Sequence, residues 1–141
     1  MKITSTLTLL ILLLAKTLLG GEVYPFMDLS FDQALKRAVE EETLVLAKFH
    51  ADWCHWCNKM DRSTFSEPDV QTLLRSFVPI RVDVEEEGGL HLARLTGIGS
   101  LPTIVFYNGS GEVVGEYVGY RSADEMLKIM HYLRKKYARG E

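Results

Sequence analysis

An apolar, strand-like run from Leu44 to His50 ends at Ala51-Asp52 and leads straight into Trp53-Cys54-His55-Trp56-Cys57. A Cys-x-x-Cys pair is thereby placed where a strand gives way to a helix. At a helix start, two cysteines with this spacing lie about one turn apart on the same face, close enough to bond. The first thiol points at unsatisfied backbone N–H groups and the positive end of the helix dipole, which stabilise a thiolate. A free thiol of pKa about 8.5 is a few per cent ionised at neutral pH, whereas one lowered to about 7 is roughly half ionised. Cys54 is therefore the expected nucleophile, and Cys57, a turn further into the helix, the resolving thiol.

These are the only 2 cysteines in 141 residues, which leaves three readings to weigh. A redox-active dithiol is the first. A purely structural disulfide is the second, but a bridge closing so short a loop stabilises by only about 2 kcal/mol, against roughly 3 for a fifteen-residue loop. The third is a metal site, which needs four ligands and would have to recruit among His50, His55, His91 and His131; no metal is assigned. Attachment of c-type haem is excluded, because Asn58 and not His follows Cys57.

The remainder of the chain has room for one domain, and 47% hydrophobic residues suffice for a single core. Lys2, the apolar run Leu7 to Ala15 and the small residues Gly20 and Gly21 resemble a secretory signal peptide, so residues 1–21 are assigned to a leader and 22–141 to the domain. The run is short for a membrane span, and Lys16 interrupts its extension. A retained N-terminal anchor is the alternative, with Lys16 snorkelling to a headgroup and no A-x-A cleavage site present. Residues 1–20 carry two lysines and no acids, so their removal takes the formal net charge from −3 to −5. A mildly acidic domain is a poor partner for nucleic acid.

Ser30 and Gln33 form a capping box ahead of the helical stripe Phe31, Leu35, Ala38 and Val39, predicting a helix over 31–42. Glu67-Pro68-Asp69 suits the first turn of a helix over 70–77, followed by a strand over 78–84. Strand, helix and strand in this order require a crossover, so the two strands are expected to be parallel neighbours. An acidic, Gly-rich segment from Glu85 to Gly89 reads as a solvated loop before a short helix ending near Thr96. Runs over 103–107 and 112–118, joined by Asn108-Gly109-Ser110-Gly111, predict an antiparallel hairpin. A second capping box, Ser122 with Glu125, opens a final helix whose apolar face is Met126, Ile129, Met130, Leu133 and Tyr137.

The segments Phe49 to Met60, Val82-Asp83-Val84 and Gly97-Ile98-Gly99-Ser100-Leu101-Pro102-Thr103 together resemble thioredoxin. More narrowly, they resemble small secreted thioredoxin-like proteins of bacteria and the C-terminal periplasmic domain of thiol:disulfide interchange proteins, over about Leu29 to Tyr137. The resemblance implies an α/β thioredoxin fold, a central mixed β-sheet flanked by helices on both faces. It also implies a protein-disulfide reductase or isomerase acting on secreted client proteins in the periplasm or another extracytoplasmic space. A disulfide oxidase and a redox-inert peptide-binding module are the alternatives. No cofactor is implied beyond the Cys54–Cys57 disulfide. The chain has no Gly-rich dinucleotide fingerprint, so electrons must come from another protein, by resemblance a membrane thiol donor. A monomer is expected.

Residue by residue, the resemblance implies a cis peptide bond before Pro102, packed beside the disulfide, with the Leu101 backbone free to pair with an extended client. Trp53 is implied to pack the active-site loop and Trp56 to meet client peptide, while a protonated His55 would support the Cys54 thiolate. One position departs from the pattern. Six residues before the first cysteine the family usually carries a buried acid that moves the proton of the resolving thiol, and here the residue is Lys48. Its ammonium is expected to snorkel outward, with a buried, neutral lysine as the alternative, and His55, Asp52 or water is left to relay the proton.

Overall fold

The computed structural model describes residues 25–137, so the leader assigned to residues 1–21 lies outside the described residues. Among the described residues, five helices and four strands follow one another as α1 (Phe31–Glu40), β1 (Val45–His50), α2 (His55–Ser63), α3 (Pro68–Leu74), β2 (Val78–Asp83), α4 (Glu87–Thr96), β3 (Thr103–Tyr107), β4 (Val113–Val118) and α5 (Ala123–Tyr137). The strands form one sheet in the order β2-β1-β3-β4. β1 pairs parallel to β2, with Val45 opposite Val78, and antiparallel to β3, which pairs antiparallel to β4. The crossover from β1 to β2 carries α2 and α3, so the cysteine segment leaves from the C-terminal end of a central strand.

Every residue of β1 is buried, which explains its nearly unbroken apolar run. Val45, Ala47 and Phe49 face one layer with Ala34 and Ala38 of α1 and Ala93 of α4. Leu46 faces the other, with Met60 of α2, Leu73 and Leu74 of α3, and Met126, Met130 and Leu133 of α5. Helices thus cover both faces. β2 is an edge strand, where Pro79 is tolerated because its missing N–H faces no partner strand. Among the described residues no helix is long and apolar enough to cross a membrane.

Two helices begin earlier than the sequence expectation, and α1, β2 and β4 differ from it by one or two residues at an end. α3 begins at Pro68 and ends at Leu74, because Pro is suited to the first helical turn and Ser76 and Phe77 turn back through hydrogen bonds to Leu73 and Leu74 carbonyls. α4 begins at Glu87, so Gly88 and Gly89 are helical and not loop. Gly89 has a packing reason: a Cβ there would sit 1.9 Å from the Asp83 carbonyl oxygen, so only glycine lets α4 approach the end of β2 this closely.

Candidate active site

Cys54 is the N-cap residue of α2 with extended backbone, and its Sγ accepts a hydrogen bond from the Cys57 backbone N–H at 3.1 Å. The sulfur occupies the place where serine or aspartate oxygens usually satisfy orphan helix donors. Cys54 and Cys57 form a disulfide, with their Cα atoms 5.2 Å apart. Both are buried, Cys57 at 1% exposure and Cys54 at 5%, so the slightly more accessible sulfur is the one that caps the helix. The loop before them is fixed by Cys54 N–H donating to the Ala51 carbonyl and by the Asn58 side-chain amide donating to the Asp52 carbonyl, each at 3.1 Å.

Ala51 and the two cysteines pack against Val84 and Leu101. The Leu101–Pro102 peptide bond is cis, and the Pro102 carbonyl accepts a hydrogen bond from Gly119 N–H at 2.7 Å. Gly119 has φ +88°, a conformation that favours glycine, and it joins the end of β4 to the proline segment. Leu101 itself lies outside the ladder, whose last pair at this end is Phe49 with Thr103.

Trp53 is 70% exposed and does not serve as packing for the loop in the way the resemblance implied; its indole N–H is tethered instead to Glu85 Oε1 at 3.1 Å. Trp56 is half exposed, its ring centroid 5.7 Å from that of Tyr120. The exposed His55 ring meets Trp56 edge-on at 5.8 Å. Among the described residues, no group of three or more His, Cys, Asp or Glu side chains is arranged to hold a metal ion.

Lys48 does not snorkel. It has no exposed surface and forms an ion pair with Asp61 of α2, while Arg81 of β2 holds the other carboxylate oxygen at 3.0 Å. The aromatic rings of Phe26 and Phe65 lie 6.0 and 5.6 Å from the lysine ammonium. Outward escape is blocked because Lys48 projects from a central strand onto the layer covered by α2, and the charge is compensated where it sits. Burial lowers the Lys48 pKa to about 8, opposed by its bond and attraction to Asp61. His50, two residues on along the same face of β1, is pushed down chiefly by burial and then by Arg81 and Lys48. Asp61 stands four residues after Cys57, hence on the same helix face. Sequence reasoning missed Asp61 and Arg81, although the i, i+4 relation of Asp61 to the resolving cysteine was available to find the first.

The model of the thioredoxin-like domain family matches residues 31–134. The chain is 38% identical over 87 residues to thiol:disulfide interchange protein DsbD of Klebsiella pneumoniae, an alignment covering 60% of this chain and 14% of that protein. The solution structure of a thioredoxin from Thermus thermophilus is similar with TM-score 0.70 and 34% identity, over 79% of this chain and 89% of that one. The oxidised C-terminal domain of DsbD from Neisseria meningitidis shares the fold, with TM-score 0.63 and 24% identity over 73% of this chain and 89% of that domain. Because the family match runs through all four strands and both cysteines, the chain belongs to the thioredoxin-like domain family.

Proposed function

We propose that this protein is an extracytoplasmic thiol:disulfide oxidoreductase that reduces or isomerises disulfides in secreted proteins, with Cys54 as nucleophile and Cys57 as resolving thiol. The observation that carries the reading is the Cys57 N–H directed at Cys54 Sγ from the first turn of α2. A donor in that position favours negative charge on Cys54 when the disulfide is reduced. The Cys54 thiolate attacks one sulfur of a client disulfide, forming a mixed disulfide and releasing the other client sulfur as a thiolate. Cys57 then gives up its proton and attacks Cys54 Sγ, closing the internal disulfide and releasing the client dithiol. Two electrons pass to the client, and a membrane thiol donor restores the dithiol. Leu101, packed against the pair and outside the ladder, offers backbone to an extended client segment.

Insulin disulfide reduction with dithiothreitol tests the activity: wild type accelerates precipitation of the insulin B chain, and the Cys54→Ser variant returns it to the uncatalysed rate. Equal rates for the two proteins would leave the redox-inert binding reading standing. Compartment is tested in cells whose outer membrane has been permeabilised, by first adding dithiothreitol, which opens the Cys54–Cys57 disulfide, and then alkylating with an impermeant maleimide; protection of the reduced chain from that reagent would place it inside the cytoplasm.

A further inference from the structure

Two flanks of the disulfide differ in charge. On one, Trp53 is tied to Glu85, which follows the edge strand β2 and leads into Glu86 and Glu87. On the other, Tyr120 follows the opposite edge strand, β4, and faces Trp56 across 5.7 Å. Lys59, one turn after Trp56 on α2, holds its ammonium 4.6 Å from the Trp56 centroid and 5.1 Å from that of Tyr120.

The arrangement is braced from below. Tyr120 Oη and Ser63 Oγ are 3.0 Å apart, the Thr64 hydroxyl donates to the Arg121 carbonyl at 2.6 Å, and Gly119 is bonded to Pro102. Among the described residues Lys59 has no carboxylate within ion-pair reach, unlike Lys48 and Arg37, which are both paired. The acid nearest Tyr120 in charge, Glu125, is already engaged by the Ser122 backbone N–H at 2.8 Å and its hydroxyl at 2.9 Å. Two rings therefore orient the ammonium of an exposed lysine and remove water from one side of it, on the helix that carries the disulfide.

We propose that Trp56, Lys59 and Tyr120 form a client subsite that selects an acidic side chain next to the client's disulfide. The subsite rests on the disulfide-exchange reading and deepens it. The rings take the apolar stem or neighbouring residue of the client, and the Lys59 ammonium takes the carboxylate. Glu85 and Glu86 on the far flank disfavour the reversed orientation, so the subsite also sets the direction in which an extended client lies across Pro102.

Two short peptide disulfides, identical except for Glu or Lys two residues from the cysteine, test it. The reduced wild-type protein is expected to reduce the acidic peptide about two- to fivefold faster, the range of an exposed ion pair. High salt should erode the ratio. Lys59→Gln should bring it close to one, and Lys36→Gln, an exposed change on α1, should leave it as in wild type. A ratio that survives Lys59→Gln, or that favours the basic peptide in wild type, overturns the subsite. Failure of wild type to reduce either peptide removes the exchange reading instead, and the subsite is then read by binding. In Trp53→Phe, which leaves Trp56 as the single tryptophan, the oxidised protein is titrated with the acidic peptide carrying Ser for Cys. A saturable change in emission that Lys59→Gln abolishes supports the subsite, and an unchanged response to acidic and basic peptides overturns it.

Discussion

Lys48 of β1 and Asp61 of α2 form an ion pair in which the lysine has no exposed surface and the aspartate is 10% exposed. Asp61 sits one turn beyond Cys57, and Arg81 holds its second oxygen. Lys48 and Arg81 thus converge on one carboxylate beneath the cysteine helix, where the resemblance led one to expect an acid at position 48. A positive charge favours a nearby thiolate and a negative one opposes it. The two halves of the pair should therefore act in opposite senses. Asp61→Asn leaves both cations and should lower the Cys57 pKa in the reduced protein. Lys48→Met should raise it, and should raise that of Cys54 more weakly. Thiol titration by ultraviolet absorbance in each variant reads the shifts; displacement of both variants in the same direction would show that the pair acts only through packing.

The same lysine makes a prediction about stability. Its folded pKa of about 8 lies below the ordinary lysine value of 10.5, so the unfolded chain binds this proton more tightly. Stability should therefore rise as pH climbs from about 8 towards 10.5, and be lowest, for this group, at and below neutrality. The full effect is on the order of 3 kcal/mol. Urea unfolding of the oxidised protein between pH 7 and 10 should show the rise, and Lys48→Met should flatten it. Above about pH 10 the raised pKa values of Tyr107 and Tyr117 act the other way, since their protons are held more tightly in the folded state. A Lys48→Met curve parallel to wild type would assign the slope to another group.

Cys54 and Cys57 should be distinguishable by trapping. With Cys57→Ser the mixed disulfide has no resolving thiol and should accumulate with client proteins, visible as reductant-sensitive bands on gels. Cys54→Ser should give few or none. Equal trapping by the two variants would contradict the assignment of the nucleophile.

Local pattern carried the architecture but not the charge network. The Ser30–Gln33 capping box of α1, the hairpin around Asn108 to Gly111 and the buried face of α5 each depend on residues within a few positions of one another, and each formed. In the expected α1 stripe, by contrast, Val39 is 60% exposed, and Ala34 is buried with Ala38 instead. The parallel pairing of β1 and β2 also followed from order alone, because a strand–helix–strand crossover has few solutions. Lys48 was misread because its partners are distant: Asp61 is 13 positions away and Arg81 lies on the neighbouring strand. Periodicity places Lys48 on an inward face but does not say what meets it there. The glycines of α4 were read as loop for a similar reason, since the close approach to Asp83 that requires Gly89 is a tertiary contact. Lys59 and Tyr120 were invisible as a pair because β4 returns to α2 only in the folded sheet.

The exposed tether between Trp53 and Glu85 should report on the acidic flank. Glu85→Gln keeps a hydrogen-bond acceptor but removes the charge, whereas Glu85→Ala removes both. In a Trp56→Phe background, Trp53 emission should shift more in Glu85→Ala than in Glu85→Gln if the hydrogen bond holds the indole. Identical spectra for the two variants would show that the indole is free in solution.

The direction of electron flow follows from the charges around the dithiol. Any group that stabilises a thiolate stabilises the reduced form and raises the potential. The Cys57 N–H at Cys54 does so, and the Lys48 ammonium adds to it while the Asp61 carboxylate opposes it. Asp61 tempers the effect, and its removal would take the ion pair from the fully buried Lys48. Known poises run from about −270 mV for thioredoxin to about −120 mV for the strong periplasmic oxidant, a spread worth roughly 7 kcal/mol. The expected midpoint lies between about −270 and −180 mV, less reducing than thioredoxin and well short of an oxidant. Asp61→Asn should move it upward, and Lys48→Met downward, each by about 10–30 mV, equivalent to about 0.5–1.4 kcal/mol. Equilibration in glutathione buffers, followed by tryptophan emission, gives all three values. A wild-type midpoint near −120 mV, or oxidation of reduced clients faster than reduction of oxidised ones, would make the protein an oxidase; a downward move in Asp61→Asn would reverse the sign assigned to the buried pair.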